Sequence, residues 1–225
     1  MAPEAGPLAS AKIWDLPTRI VHWGLVALIL ASWLTAGQQM TWHRWSGYGV
    51  LGLVVFRIYW GLFGASTARF SSFVKGPRQV AAYAGRLGDR AAPPSVGHNP
   101  LGALSVIALL LLLATQVGLG LFAVDIDGIE SGPLSYLVDF DTGRLCARWH
   151  ELTFRGLQGL IGLHIAAVGF YLIHKRQNLV AAMVTGRKPL AAGVAAVSFA
   201  PAWRLAVGII LAAAVVYLLA TGLKF

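Results

Sequence analysis

Charge is what this chain has least of. Of its 225 residues only 12% are Asp, Glu, Lys or Arg, about half the ~25% of a soluble domain, which excludes an ordinary water-solvated surface. Acids are the scarcest: nine, against eighteen Lys plus Arg, for a formal charge of +9. Cysteine is all but missing. Cys146 stands alone, so no internal disulfide can form, and there is no C-x-x-C-H motif through which a haem is covalently attached. The first 12 residues lack a basic stretch leading into an apolar core and a small-residue cleavage site, so no cleavable signal peptide is expected and the first apolar span should be retained. There is no internal repeat and no low-complexity tract.

What fills the space is apolar. Hydrophobic residues make up 57% of the chain and its mean hydropathy is positive. Long apolar stretches fall near 20–37, 47–65, 101–124, 152–173 and 204–222, each close to the ~20 residues that span a bilayer. The bilayer core has no water to satisfy backbone groups, so each should be a helix. The fold class expected is therefore all-α integral membrane.

The sparse charges are segregated. Arg69, Lys75, Arg78, Arg86 and Arg90 lie between the second and third spans, and Lys175, Arg176, Arg187, Lys188 and Arg204 between the fourth and fifth. The segment 125–148 between the third and fourth carries Asp125, Asp127, Glu130, Asp139 and Asp141. By the positive-inside rule the N-terminus and both basic loops face the cytoplasm, while the acidic loop and the C-terminus face the periplasm or exterior. Membrane topology explains the basic excess without nucleic acid.

Along the chain, residues 1–12 read as disordered. Asp15 and Pro17 can cap and start a first helix running to about Gly37 and carrying His22. Residues 38–42 are few enough for an antiparallel hairpin, and His43 opens the second helix, which has Gly47, Gly49 and Gly52. Phe70, Phe73, Val74 and Tyr83 among basic residues point to a short amphipathic surface helix within 66–100. The third span has no histidine; its polar residues are Ser105, Thr115 and Gln116. The fourth carries His150 at its outer start and His164 further in, and the fifth has neither histidine nor acid.

The histidines can be compared by depth. His150 and His164 are fourteen positions apart, which returns to within ~40° of one helix face and spans about 21 Å. His22 lies about 24 Å inward of the outer end of the first helix, and His43 lies near that end. The depths pair His43 with His150 and His22 with His164. A six-coordinate b haem takes two imidazoles on opposite faces of its iron, and ionisable residues inside spans are costly and by default functional. Four depth-matched histidines therefore point to two haems, one near each surface. His98 and His174 sit in basic cytoplasmic segments and are not expected to ligate. Arg57, within the second span, either snorkels to the surface or pairs with a haem propionate. Arg19 and Arg155 are further propionate candidates, as are Arg44 and Arg148.

Asp15-Leu16-Pro17-Thr18-Arg19-Ile20-Val21-His22-Trp23, His43 with Arg57 and Trp60-Gly61, Gly97-His98-Asn99-Pro100-Leu101-Gly102 and the His150/His164 pair resemble the bacterial cytochrome b561 and nickel-iron hydrogenase b-type cytochrome superfamily, with the formate dehydrogenase gamma subunit as a distant relative. The resemblance implies a four-helix transmembrane bundle holding two b haems over residues 13–190. The resemblance does not cover residues 191–225, which depart from the four-helix pattern and are expected to form an additional C-terminal transmembrane helix, free to pack on a partner or a second copy. It also implies a quinone beside the inner haem, near Asn99, His98 and Gly102. The alternative for Asn99 is that it simply caps the third helix, with Pro100 in the first turn.

The function this implies is electron transfer across the bacterial inner membrane between the quinone pool and a periplasmic redox protein, either a c-type cytochrome or a hydrogenase or dehydrogenase subunit. That partner is expected to dock at the acidic loop 125–148 by electrostatic steering. Two alternatives stand beside it: a self-sufficient superoxide:quinone oxidoreductase of the same fold, and a haem-free transporter whose histidines bind metal or relay protons.

Overall fold

The computed structural model describes residues 8–90, 95–127, 129–191 and 197–224. Five of its helices are long and apolar enough to cross a membrane: α1 (Leu16–Thr35), α2 (Met40–Phe63), α5 (Pro100–Phe122), α6 (Phe140–Ile173) and α8 (Ala202–Ala220). Between α2 and α5 lie a single turn, α3 (Phe70–Phe73), and the short helix α4 (Pro77–Gly85), where a surface helix was expected. After α6 comes α7 (Leu179–Thr185). The end at which α1 begins, expected to face the cytoplasm, is referred to as the inner end.

Local chemistry sets the boundaries. The Asp15 carboxylate accepts the Thr18 backbone N–H at 2.9 Å and Pro17 occupies the first turn of α1. At the far end Gly37 takes φ +73°, a conformation that favours glycine, and turns the chain into α2. Ser32 and Ser46 bond across this hairpin at 2.7 Å. Asn99 caps α5 by accepting from Gly102 N–H at 2.8 Å. Apolar side chains from four helices meet in one cluster: Val50 and Val54 of α2, Leu113 of α5 and Leu157 of α6 are buried, with Leu25 and Leu28 of α1 against them.

The helix α8 packs on α2 of its own chain. Gly208 lies against Tyr59 and Phe56, and Ala212 is buried in the cluster of Val21, Phe56 and Trp60. Small residues let the two backbones approach closely, a substitute for the hydrophobic drive that is missing in lipid.

Two sequence expectations need revising. The first concerns residues 1–12. Residues 1–7 lie outside the described residues, but Leu8–Lys12 form a strand, β1, paired antiparallel with β2 (Arg187–Ala191), Leu8 opposite Ala191 and Lys12 opposite Arg187. Gly186, at φ +79°, ends α7 and its carbonyl receives the N–H groups of Ile13 (2.8 Å) and Trp14 (3.1 Å). Ile13, Trp14, Ala182 and Leu190 form a small buried core beneath this ladder. The second concerns α6, which begins at Phe140, not near 150. Asp139 caps it by accepting from Thr142 N–H at 2.8 Å. With 34 residues it is about 51 Å long, well beyond the ~30 Å hydrocarbon layer. His150 therefore sits about 15 Å into the helix, and the outer connection contracts to 123–139, containing a 3-10 turn at Ser135–Leu137.

Candidate functional site: two histidine pairs

The hairpin of α1 and α2 stands beside α6, and this brings the four histidines together in two pairs. The rings of His22 and His164 are 6.4 Å apart centre to centre, and those of His43 and His150 are 6.0 Å apart. A metal–imidazole bond of about 2 Å, plus about 1.1 Å from nitrogen to ring centre, taken twice, separates two rings across one metal by about 6.2 Å. Each gap fits one iron.

The outer pair is held from behind. The Nδ1 of His43 bonds to the Ser32 carbonyl on α1 at 2.8 Å, and the Nδ1 of His150 to the Gln116 carbonyl on α5, also at 2.8 Å. With Nδ1 as the donor, each ring presents its Nε2 lone pair to the gap, the usual arrangement behind a metal-bound histidine. Gln116 is buried and its side-chain oxygen accepts from Thr153, one turn below His150 on α6. Nothing lies within 4 Å of where a Cβ on Gly47 would stand, one turn along α2 from His43, so the backbone there leaves room for a flat ligand.

The inner pair is different. The Nδ1 of His22 is buried without a partner. At the same end of the bundle, Asn99 donates from Nδ2 to the Tyr171 hydroxyl (2.9 Å), which also bonds the Tyr83 hydroxyl (2.7 Å), tying α5, α6 and α4 together. The His98 ring lies against Trp14 (4.7 Å) and Phe73 (4.5 Å). Burial first, then the charges of Arg57, His164 and His22, push His98 down to about 3, so it is neutral at physiological pH. Gly102 stays within the Asn99 cap.

Of the five arginine candidates, Arg57, Arg19 and Arg155 go separate ways. Arg57 is buried; it donates to the Ala68 carbonyl at 3.2 Å and lies on the Phe70 ring, with 5.2 Å from guanidinium carbon to ring centre, so it does not snorkel. Arg19 donates to the carbonyls of Met183 and Val184 at the end of α7, a cation at a helix C-terminus. Arg155 pairs with Glu151 one turn away on an exposed face.

Among the described residues, no group of three or more His, Cys, Asp or Glu side chains converges as a bare metal ion would need. Each pair could supply two donors to a group that brings the rest of its own ligands, as a haem does. The model of the prokaryotic cytochrome b561 family matches residues 13–186. The chain belongs to that family. No match was found among curated proteins or among solved structures.

As a cytochrome b561 family member the chain is a b-type membrane cytochrome of electron transfer, and a haem is the group that the two gaps fit. Sequence reasoning missed the two carbonyls behind the outer pair because backbone acceptors leave no mark in a sequence; the only signal was Gln116, a polar residue in an apolar span. It also missed Tyr171, which carries no distinguishing spacing, and read Tyr83 only as part of a surface helix. The acidic outer segment is less available than its composition implies. Glu130 pairs with Arg44, Asp125 accepts the Glu130 N–H at 3.1 Å, and Asp139 caps α6. Backbone and side-chain bonds from Thr142 hold Asp139 below the ordinary aspartate range. What the outer turns of α6 present is a charge-alternating depression of about 520 Å³ lined by Asp141, Arg144, Arg148 and Glu151.

Proposed function

We propose that this cytochrome is a di-haem quinone-reactive subunit. A four-helix core of α1, α2, α5 and α6 holds one b haem between His22 and His164 at the inner, cytoplasmic end and another between His43 and His150 at the outer, periplasmic end. Haem iron supplies one-electron redox chemistry at each depth. The observation that carries this reading is the pair of ring separations, 6.4 and 6.0 Å, at two depths of one helix. Asn99, with Tyr171 behind it and His98 and Gly102 beside it, positions a quinone at the inner end. A periplasmic redox protein docks on the outer turns of α6, and α8, packed on α2, leaves Ile209, Ile210 and Tyr217 exposed for lipid, a partner subunit or a second copy.

The test is to purify the full chain, determine haem per polypeptide and record the reduced spectrum. Two b haems with a band near ~560 nm are expected. His22→Ala or His164→Ala should remove one and leave the other. A chain without haem, or either variant keeping both haems with unchanged spectra, would sink the reading. Asn99→Ala should raise the quinone KM with both haems retained; unaltered quinone kinetics would remove Asn99 from the site.

A further inference from the structure

At the inner end a buried cation lacks an anion. Arg57 is 7% exposed, and the two ion pairs among the described residues, Arg44–Glu130 and Arg155–Glu151, do not include it. The acid acting on it electrostatically is Asp15, but both oxygens of that carboxylate are engaged, one by Thr18 N–H (2.9 Å) and one by Trp60 Nε1–H (2.8 Å). One Arg57 nitrogen donates to the Ala68 carbonyl at 3.2 Å, which leaves most of a five-donor fork to be satisfied. Buried charges are ordinarily paired, because an uncompensated one is strongly destabilising.

A second orphan stands nearby. The Nδ1 of His98 is buried with no partner. The two groups rest on one support: Arg57 lies on Phe70, His98 packs on Phe73, and those rings are 5.8 Å apart on the single turn α3. His98 lies within electrostatic reach of Arg57, His22 and His164, which puts the unsatisfied donors near the inner histidine pair. With Arg19 held by carbonyls and Arg155 paired with Glu151 on an exposed face, Arg57 is the one of the three that is buried with spare donors.

We propose that Arg57 and His98 form a carboxylate cradle that holds a propionate of the inner haem. The carboxylate accepts charge-assisted hydrogen bonds from the guanidinium fork and one from His98 in its Nδ1–H tautomer. Because burial keeps His98 uncharged, it contributes a donor without adding a second buried cation. This places His98 with the haem edge and leaves the quinone to Asn99 and Tyr171. The proposal rests on the di-haem reading.

The experiment measures how fast the inner haem leaves the full-length protein for an apo-globin acceptor, in protein loaded either with haem b or with its dimethyl ester, which lacks free carboxylates. With haem b, Arg57→Gln and His98→Phe should each speed loss of the inner haem tenfold or more while the outer haem leaves at its normal rate. With the ester, the unmutated protein should already be fast and Arg57→Gln should add less than twofold. Arg57→Lys, which keeps the charge and loses the fork, should fall between and serves if Arg57→Gln does not fold. Unaltered loss of haem b from Arg57→Gln (or Arg57→Lys) and His98→Phe overturns the proposal. So does an equal acceleration for haem b and ester, which would mean that Arg57 holds some other anion or only the fold. If the inner pair takes up no haem at all, the di-haem reading falls with it; if haem binds but Arg57 has no effect, this proposal falls alone.

Discussion

A methyl group at Gly120 should retune the outer haem without loosening the helix that carries it. Gly120 lies on α5 one turn beyond Gln116, and a Cβ there would stand 3.0 Å from Cε1 and 3.2 Å from Nδ1 of His150. Both are tighter than ordinary contact, so the imidazole must shift by a few tenths of an ångström, away from the Gln116 carbonyl that now holds it at 2.8 Å. A hydrogen bond of this kind is worth about 1 kcal/mol net, and losing half or all of it is about 0.5–1 kcal/mol. That bond makes the imidazole a stronger donor to the metal and so favours the ferric state. Since about 59 mV corresponds to a tenfold change for one electron, or about 1.4 kcal/mol, Gly120→Ala should raise the outer midpoint potential by up to about 20–40 mV, the limit reached if the whole bond energy acts on the ferric state. Alanine in place of glycine favours the helix by about 1 kcal/mol, so the effect is not masked by instability. A spectroelectrochemical titration in a His22→Ala background reports the outer haem alone. Gly118→Ala is the control, because nothing lies within 4 Å of its Cβ position. An outer potential that stays put or falls, or an equal shift in the control, would refute the reasoning.

Three other predictions concern the same framework. In the unmutated protein the outer haem should titrate at lower potential than the inner one. Both outer histidines donate to carbonyls, whereas the Nδ1 of His22 has no partner, and Arg57 adds positive charge at the inner end; the reverse order in a redox titration would contradict this. Asp15→Asn should destabilise the protein by about 1–3 kcal/mol, because one amide cannot accept from both Thr18 N–H and Trp60 Nε1–H and one buried donor is left unpaired; an unchanged apparent Tm in detergent would show that Asp15 is not the hinge between α1 and α2 that its bonds describe. Asp139, its pKa lowered on folding, contributes cap stability that is present above its unfolded value and lost as the pH falls through the lower folded value. At neutral pH the first turns of α6 should therefore be protected, with Asp139→Ala exchanging amide hydrogens over 140–148 faster; equal exchange in the two proteins would count against the cap.

The features legible in the sequence were those set by length and period. Five spans follow from apolar runs of bilayer length, and the pairings His22 with His164 and His43 with His150 follow from the fixed rise of a helix, which turns sequence separation into depth. The start of α6 was hidden because its outer turns alternate Asp141, Arg144, Arg148 and Glu151 with apolar residues; an apolar-run criterion passes over a helix that leaves the membrane. The β1–β2 ladder was hidden because its strands are five residues each and lie far apart in the chain, so neither carries a local signal of the other. Arg19, Arg57 and Arg155 have the same chemistry on paper. Only the arrangement around them separates a helix C-cap, a buried fork and a surface pair.

That ladder also has a meaning in time. Leu8 pairs with Ala191, so at roughly 5–20 residues per second the N-terminal strand is made about 9–37 s before its mate. Through that interval four spans and all four paired histidines are synthesised while β1 is an open strand edge. The strap that draws Ile13 and Trp14 against Gly186 can therefore close only after four spans exist, and Ser198 and Arg204, which bond Ser66 and Phe63 at the same end, are made later still. Until the strap closes, Ile13 and Trp14 lack the Gly186 carbonyl that receives their N–H groups.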